Sequence, residues 1–181
     1  MASDLAPMRH ESSTLWRTTT ETPLGPYTIF LSDAGVVRTH FDDDGGPDDD
    51  VDDVDAVEDR RLTAPIRREV DAYFRGRLRA FETPADLSAI GEGFTRRVLE
   101  TVRTIPYGEL WTYGDVAAAA GATRAGRAAG SALARSPIEL FVPCHRVVRA
   151  GPSLGSYGRH DDRRRFLLLL EGALSGPSSR P

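Results

Sequence analysis

Lysine is missing altogether: all 23 basic side chains among the 181 residues are arginine, which reads as a lineage or codon bias with no functional content. Cysteine is almost missing too. A single one, Cys144, excludes an intramolecular disulfide and a cysteine-rich metal site, and nothing points to an oxidising compartment. Long apolar runs are also lacking. Residues 1–20 have no unbroken hydrophobic core of the signal-peptide kind and no stretch approaches a membrane span, so a cytoplasmic protein with no membrane partner is expected. No heptad pattern offers a zipper and no internal repeat is visible, so a monomer is expected.

What is present suits one domain of ordinary size or two small ones sharing a core, and 40% hydrophobic residues is enough to fill it. The net charge of -4 conceals two halves of opposite sign. Residues 1–90 hold 10 Arg against 19 acids, giving -9, whereas residues 91–181 hold 13 Arg against 8 acids, giving +5. A polyanion would bind the second half, where cationic side chains can displace counterions from phosphates.

Residues 14–20, 27–31 and 36–41 are β-prone and separated by the turn formers Pro23-Leu24-Gly25-Pro26 and Asp33-Ala34-Gly35, predicting a three-stranded antiparallel meander. Residues 42–59 carry 11 acids and three scattered valines, too little apolar surface to order itself, and predict a mobile acidic loop. Ile66, Val70, Tyr73 and Phe74 share one face of a helix over residues 65–76. Phe94, Val98, Val102 and Ile105 repeat every three or four residues until Pro106 ends a second helix. Two Ala-rich helices follow, 113–120 and 122–134, with a turn at Gly121 and with Arg124, Arg127 and Arg135 on the second. A short buried strand is predicted at 138–142, then a Gly/Ser loop at 149–159 and a last helix capped by Asp161 or Asp162. The fold class is therefore α+β: an N-terminal sheet with a helix (1–90), a mostly helical second part (91–172) and a tail (173–181).

Chemistry centres on Phe141-Val142-Pro143-Cys144-His145-Arg146-Val147-Val148. A thiol becomes a strong nucleophile as thiolate, and an adjacent imidazole can take its proton. The same pair also suits a buried cysteine that packs as a small hydrophobe beside a structural histidine. Neighbours on a strand point to opposite faces, so cooperation needs a turn after Pro143 or a bridging water.

The run Pro143-Cys144-His145-Arg146-Val147 resembles the active-site signature of the O6-alkylguanine-DNA alkyltransferases, the methylated-DNA-protein-cysteine methyltransferases. Four further blocks agree in order and spacing: Ile105-Pro106-Tyr107-Gly108-Glu109 leading to Thr112-Tyr113-Gly114-Asp115-Val116-Ala117, then Arg127-Ala128-Ala129-Gly130, Gly155-Ser156-Tyr157-Gly158, and Leu168-Leu169-Leu170-Glu171-Gly172. The resemblance implies a ribonuclease-H-like N-terminal domain, a helix-turn-helix that enters the minor groove, and single-turnover repair of O6-alkylguanine, with O4-alkylthymine as a further substrate it allows. No cofactor is expected and no metal among the site residues, while a metal in the N-terminal part is left open.

By the same resemblance Cys144 is the acceptor and His145 removes its proton through a water. Glu171 holds the other ring nitrogen, and Tyr113 hydrogen-bonds the flipped guanine. A base buried in the duplex must leave the stack to be reached, and Arg127 would fill the gap. Arg124 and Arg135 would contact phosphates, Ser156, Tyr157 and Gly158 would line the pocket, and the carbonyls of Cys144 and Val147 would accept from the exocyclic amine. Two positions depart from the family pattern. Ser136-Pro137 stands where Asn-Pro is usual, and a hydroxyl makes fewer simultaneous bonds than a carboxamide; Arg159 and His160 intrude into a loop that is usually Gly-rich. The alternatives are a non-catalytic alkyltransferase-like lesion binder, against which Cys144 argues, a helix-turn-helix regulator with Cys144 as sensor, and a Cys-His hydrolase.

Overall fold

The computed structural model describes residues 14–41, 56–151 and 160–174. The meander forms as expected. Strands β1 (Leu15–Thr22), β2 (Gly25–Ser32) and β3 (Gly35–Phe41) pair antiparallel, with Thr18 opposite Ile29 and Ile29 opposite Thr39. A fourth strand, β4 (Ala56–Glu58), joins β1 in parallel, so the sheet order is β3-β2-β1-β4. This corrects the C-terminal end of the predicted acidic loop: Ala56, Val57 and Glu58 take up the free edge of β1, and Glu58 pairs with Arg17 at 3.0 Å. The rest of that prediction, 42–55, lies outside the described residues.

Helix α1 (Ala64–Phe74) lays Ile66, Val70, Tyr73 and Phe74 into the core, as its spacing requires. Helix α2 (Phe94–Arg103) does the same with Val98, Leu99 and Val102. The short strand β5 (Trp111–Thr112) leads into helix α3 (Tyr113–Ala119), whose first turn is closed by a capping box between Thr112 and Asp115. Helix α4 (Gly126–Leu133) begins four residues later than predicted, because 122–125 make the turn and Arg124 adopts a left-handed backbone at φ 68. Alanine content favours helix but does not say where the chain must reverse.

Residues 138–142 run buried into Pro143 as expected, but they pair in no ladder. Leu140 sits at φ 63, which breaks the pleat, and the backbone is instead clasped by β3: Thr39 N–H donates to the Pro137 carbonyl (2.9 Å) and Glu139 N–H donates to Thr39 Oγ1 (2.7 Å). The Tyr27 hydroxyl donates to the Glu139 carbonyl at 2.8 Å. A 3₁₀ turn at Cys144–Arg146 follows, and strand β6 (Val147–Val148) pairs with β5, Trp111 opposite Val147. Helix α5 (Asp161–Leu170) has His160 at its N-cap, with Asp161 and Asp162 inside the first turn. One continuous core takes side chains from the sheet, from α1 to α5 and from the Cys144 turn. Among the described residues no helix is long and apolar enough to cross a membrane.

Candidate active site

The 3₁₀ turn after Pro143 supplies the bend that a Cys-His pair needs. It buries Cys144, His145 and Arg146 together, each at most 7% exposed. His145 Nε2 lies 2.8 Å from Glu171 Oε1, and a carboxylate can only accept, so Nε2 carries the proton and Nδ1 keeps its lone pair. The His145 ring and the Glu171 carboxylate are thus in contact, and Cys144 lines one small cavity with His145.

Glu171 is engaged far beyond that pair. Arg146 approaches it with two nitrogens at 2.9 Å each, Gly108 N–H donates at 3.1 Å and the Tyr73 hydroxyl donates at 2.6 Å. Gly108 has φ 81, and a Cβ there would stand 2.8 Å from the Glu171 carbonyl oxygen, so only glycine lets the two backbones meet. Arg146 also donates to the Ile105 carbonyl (2.6 Å), and Arg164 donates to the carbonyls of His145 and Val147. The Val147 carbonyl therefore arrives with one lone pair already used. Tyr73, Arg146, Gly108 and Arg164 were given no role by sequence reasoning; only Arg146 and Gly108 lie in the blocks that carry the resemblance.

Burial shapes the titration of the centre. It pushes the Cys144 thiol up to about 12, opposed by a hydrogen bond from the Ser136 side chain and reinforced by the Glu139 charge. The Ser136 hydroxyl also donates to the Ile138 carbonyl at 3.0 Å. Burial also pulls His145 below its ordinary value, although the bond to Glu171 works the other way. For Glu171 burial raises the carboxyl, but the bonds from His145 and Arg146 outweigh it and hold the group well below the usual carboxylate range. The resting state is a neutral thiol beside a neutral imidazole and an ionised carboxylate. Leu140, Val142, Glu139, Arg163, Arg164 and Leu167 line the small cavity at Cys144 and His145.

Tyr113 opens α3, one residue beyond the β5–β6 ladder that follows the Cys144 turn, and its ring packs against Gly130. The small residues of α4 divide. Gly126 and Gly130 face α3 and Ala129 is buried, so they serve helix packing, whereas Arg127 and Ala128 look outward. Arg124, Arg127 and Arg135 are all exposed and make no salt bridge among the described residues. Ser156, Tyr157, Gly158 and Arg159 lie outside the described residues.

Residues 93–173 match the DNA-binding domain of the 6-O-methylguanine DNA methyltransferase family, and residues 15–87 match its ribonuclease-like domain. The chain belongs to this family. Over 84% of its length it is similar, at 37% identity, to the methylated-DNA–protein-cysteine methyltransferase of Methanosarcina acetivorans, 96% of which is covered. The constitutive methyltransferase of Bacillus subtilis is 35% identical over 85% of this chain and 93% of its own. Among solved structures, the fold is similar to Mycobacterium tuberculosis O6-methylguanine methyltransferase, with TM-score 0.77, 32% identity, and 92% of this chain and 97% of that one covered. It is also similar to the M. tuberculosis protein in complex with DNA, with TM-score 0.76, 34% identity, and coverage of 86% and 92%. Cys144, His145 and Glu171 all fall within the segment that matches the family's DNA-binding domain.

Proposed function

We propose that this chain repairs DNA by moving an alkyl group from the O6 of guanine onto the sulfur of Cys144. One observation carries the reading: the chain's sole thiol is buried beside a histidine whose far nitrogen is fixed by a carboxylate, in a chain that matches a DNA methyltransferase family along both segments. The sulfur attacks the alkyl carbon in line, the S–C bond forms as the C–O6 bond breaks, and the guanine oxygen takes up a proton. Because the resting thiol is neutral, its proton must leave as the alkyl group arrives. His145 Nδ1 is the free base, reached through a water as the resemblance implies, and Glu171 offsets the imidazolium that forms. The product is a thioether that no second thiol can reverse, so each molecule reacts once. The presence of Cys144 weighs against the alkyltransferase-like lesion binder.

Residues 1–90 act in this reading as the supporting domain and 91–172 as the part that meets DNA, in the cytoplasm and on the nucleoid. Tyr113 would hydrogen-bond the extruded base, and the pocket loop with Ser156, Tyr157, Gly158 and Arg159 would close over it. The test is intact mass before and after mixing with a duplex containing O6-methylguanine. A gain of one methyl and no more is expected; an unchanged mass with the lesion consumed would overturn the reading.

The outward cations of the helix-turn-helix separate two tasks. Phosphate contacts set general affinity and its salt slope, about -0.9 per phosphate neutralised, whereas a side chain inserted in the stack helps only when a base leaves it. Arg127→Ala should therefore slow repair of duplex DNA strongly and barely change reaction with free O6-benzylguanine. Arg124→Ala should weaken binding to any duplex and flatten the salt dependence. Equal slowing of both substrates by Arg127→Ala would remove Arg127 from the groove.

A further inference from the structure

The carboxylate of Glu171 is shared between the two segments of the chain. Tyr73 belongs to α1, in the segment that matches the ribonuclease-like domain, yet its hydroxyl reaches across to donate to Glu171 Oε1 at 2.6 Å, beside His145 Nε2 at 3.5 Å. The ring is 1% exposed and gripped by Phe74, Phe81 and Tyr107, with centroids 5.4, 5.2 and 6.1 Å away. A core tyrosine usually finds some partner for its hydroxyl. This one has spent it on the carboxylate that holds the histidine.

We propose that Tyr73 is a positioning residue for alkyl transfer: its phenol shares Glu171 Oε1 with His145, fixing the carboxylate and limiting how strongly it draws the imidazole toward its charged form. The proposal rests on the alkyl-transfer reading above. Glu171 accepts five bonds, from His145, Tyr73 and one nitrogen of Arg146 on Oε1 and from Gly108 and a second nitrogen of Arg146 on Oε2, so its about four lone-pair sites are shared among them. Each donor spends part of the negative charge that would otherwise stabilise protonated His145. The other groups around the ring act in the same sense. Arg146 from its own turn and Arg164 from α5 both disfavour the imidazolium. A base must be unprotonated to accept the thiol proton, so a carboxylate that held His145 too strongly would protonate it before the substrate arrived.

Tyr73→Phe keeps the ring packing and removes one charge-assisted hydrogen bond from Glu171. Such a bond corresponds to about one pH unit when felt at a neighbouring titration. The first measurement is the His145 carbon resonance against pH in Cys144→Ser protein, with and without Tyr73→Phe, which does not depend on transfer occurring. The second is the pH profile of the single-turnover rate with free O6-benzylguanine, which needs no base flipping. Tyr73→Phe should move the His145 titration and the acid limb of the rate profile upward together, by about one unit. Identical titration curves with and without the hydroxyl, or a rate lowered equally at every pH, would reduce Tyr73 to a packing residue. Should wild-type protein fail to react at all, the alkyl-transfer reading fails while the resonance still decides whether Tyr73 tunes His145.

Discussion

Cys144→Ser should abolish alkyl transfer while leaving the fold and the binding of lesion-bearing duplex in place, and wild-type protein mixed with excess lesion should stop at one equivalent. Serine replaces sulfur with a smaller oxygen in a site that already penalises charge. Burial holds even the thiol's proton up to about 12, and an alkoxide is far harder to form in the same surroundings. An imidazole that can draw a proton from sulfur at the moment of transfer has too little driving force to draw one from a hydroxyl. Loss of lesion per molecule, counted against intact mass, is the measurement. Continued consumption beyond one equivalent by wild-type protein would point to the Cys-His hydrolase and end the suicide mechanism.

The second large effect concerns stability. Arg146→Ala should destabilise the protein by about 3–5 kcal/mol, because it leaves a buried carboxylate without its counter-charge. Glu171 is fully buried and Arg146 nearly so, so solvent cannot take over. The pH dependence has a definite sign. In wild-type protein the folded Glu171 carboxyl lies below its unfolded value of 4.5, so its contribution is complete above that pH and is lost as the pH falls through the folded value. In the variant the bond from Arg146 is gone while those from His145 and Tyr73 remain, so burial is offset less and the folded carboxyl should rise from its wild-type position. Protonation then relieves the site, and the gap in Tm between variant and wild type should narrow as the pH is lowered toward 4. A gap that stays the same on acidification would mean that Arg146 contributes by packing against Tyr107, whose ring lies 5.8 Å from its guanidinium carbon.

The sequence shows the chemistry better than the architecture that supports it. The meander, α1 and α2 follow from local patterns, and Cys144 with His145 stands out because the thiol is unique. Glu171 could be linked to them only through the family resemblance, since a glutamate at a helix end carries no local sign of burial. Tyr73 was invisible as a site residue for a physical reason. Its place seven residues after Ile66 makes it core, which it is, and periodicity reports where a side chain points but not what its hydroxyl meets 98 residues away. The strand expected at 138–142 failed because apolar, β-branched composition signals burial, while one residue at φ 63 decides that the burial is irregular. β4 was lost in the acidic run because three residues paired to a distant edge leave no periodicity to read.

The clasp on the segment before Cys144 decides which parts of the molecule open together. Thr39 and Tyr27 hold 137–139 from the sheet, whereas α3 and α4 share none of those bonds. Proteins open in cooperative units, and an amide exchanges its hydrogen only when its own unit lets go. The Glu139 amide is therefore released to deuterium by opening of β3 and not by fraying of the two helices that would meet DNA. An opening confined to α3 and α4 would leave the clasp ahead of the thiol intact.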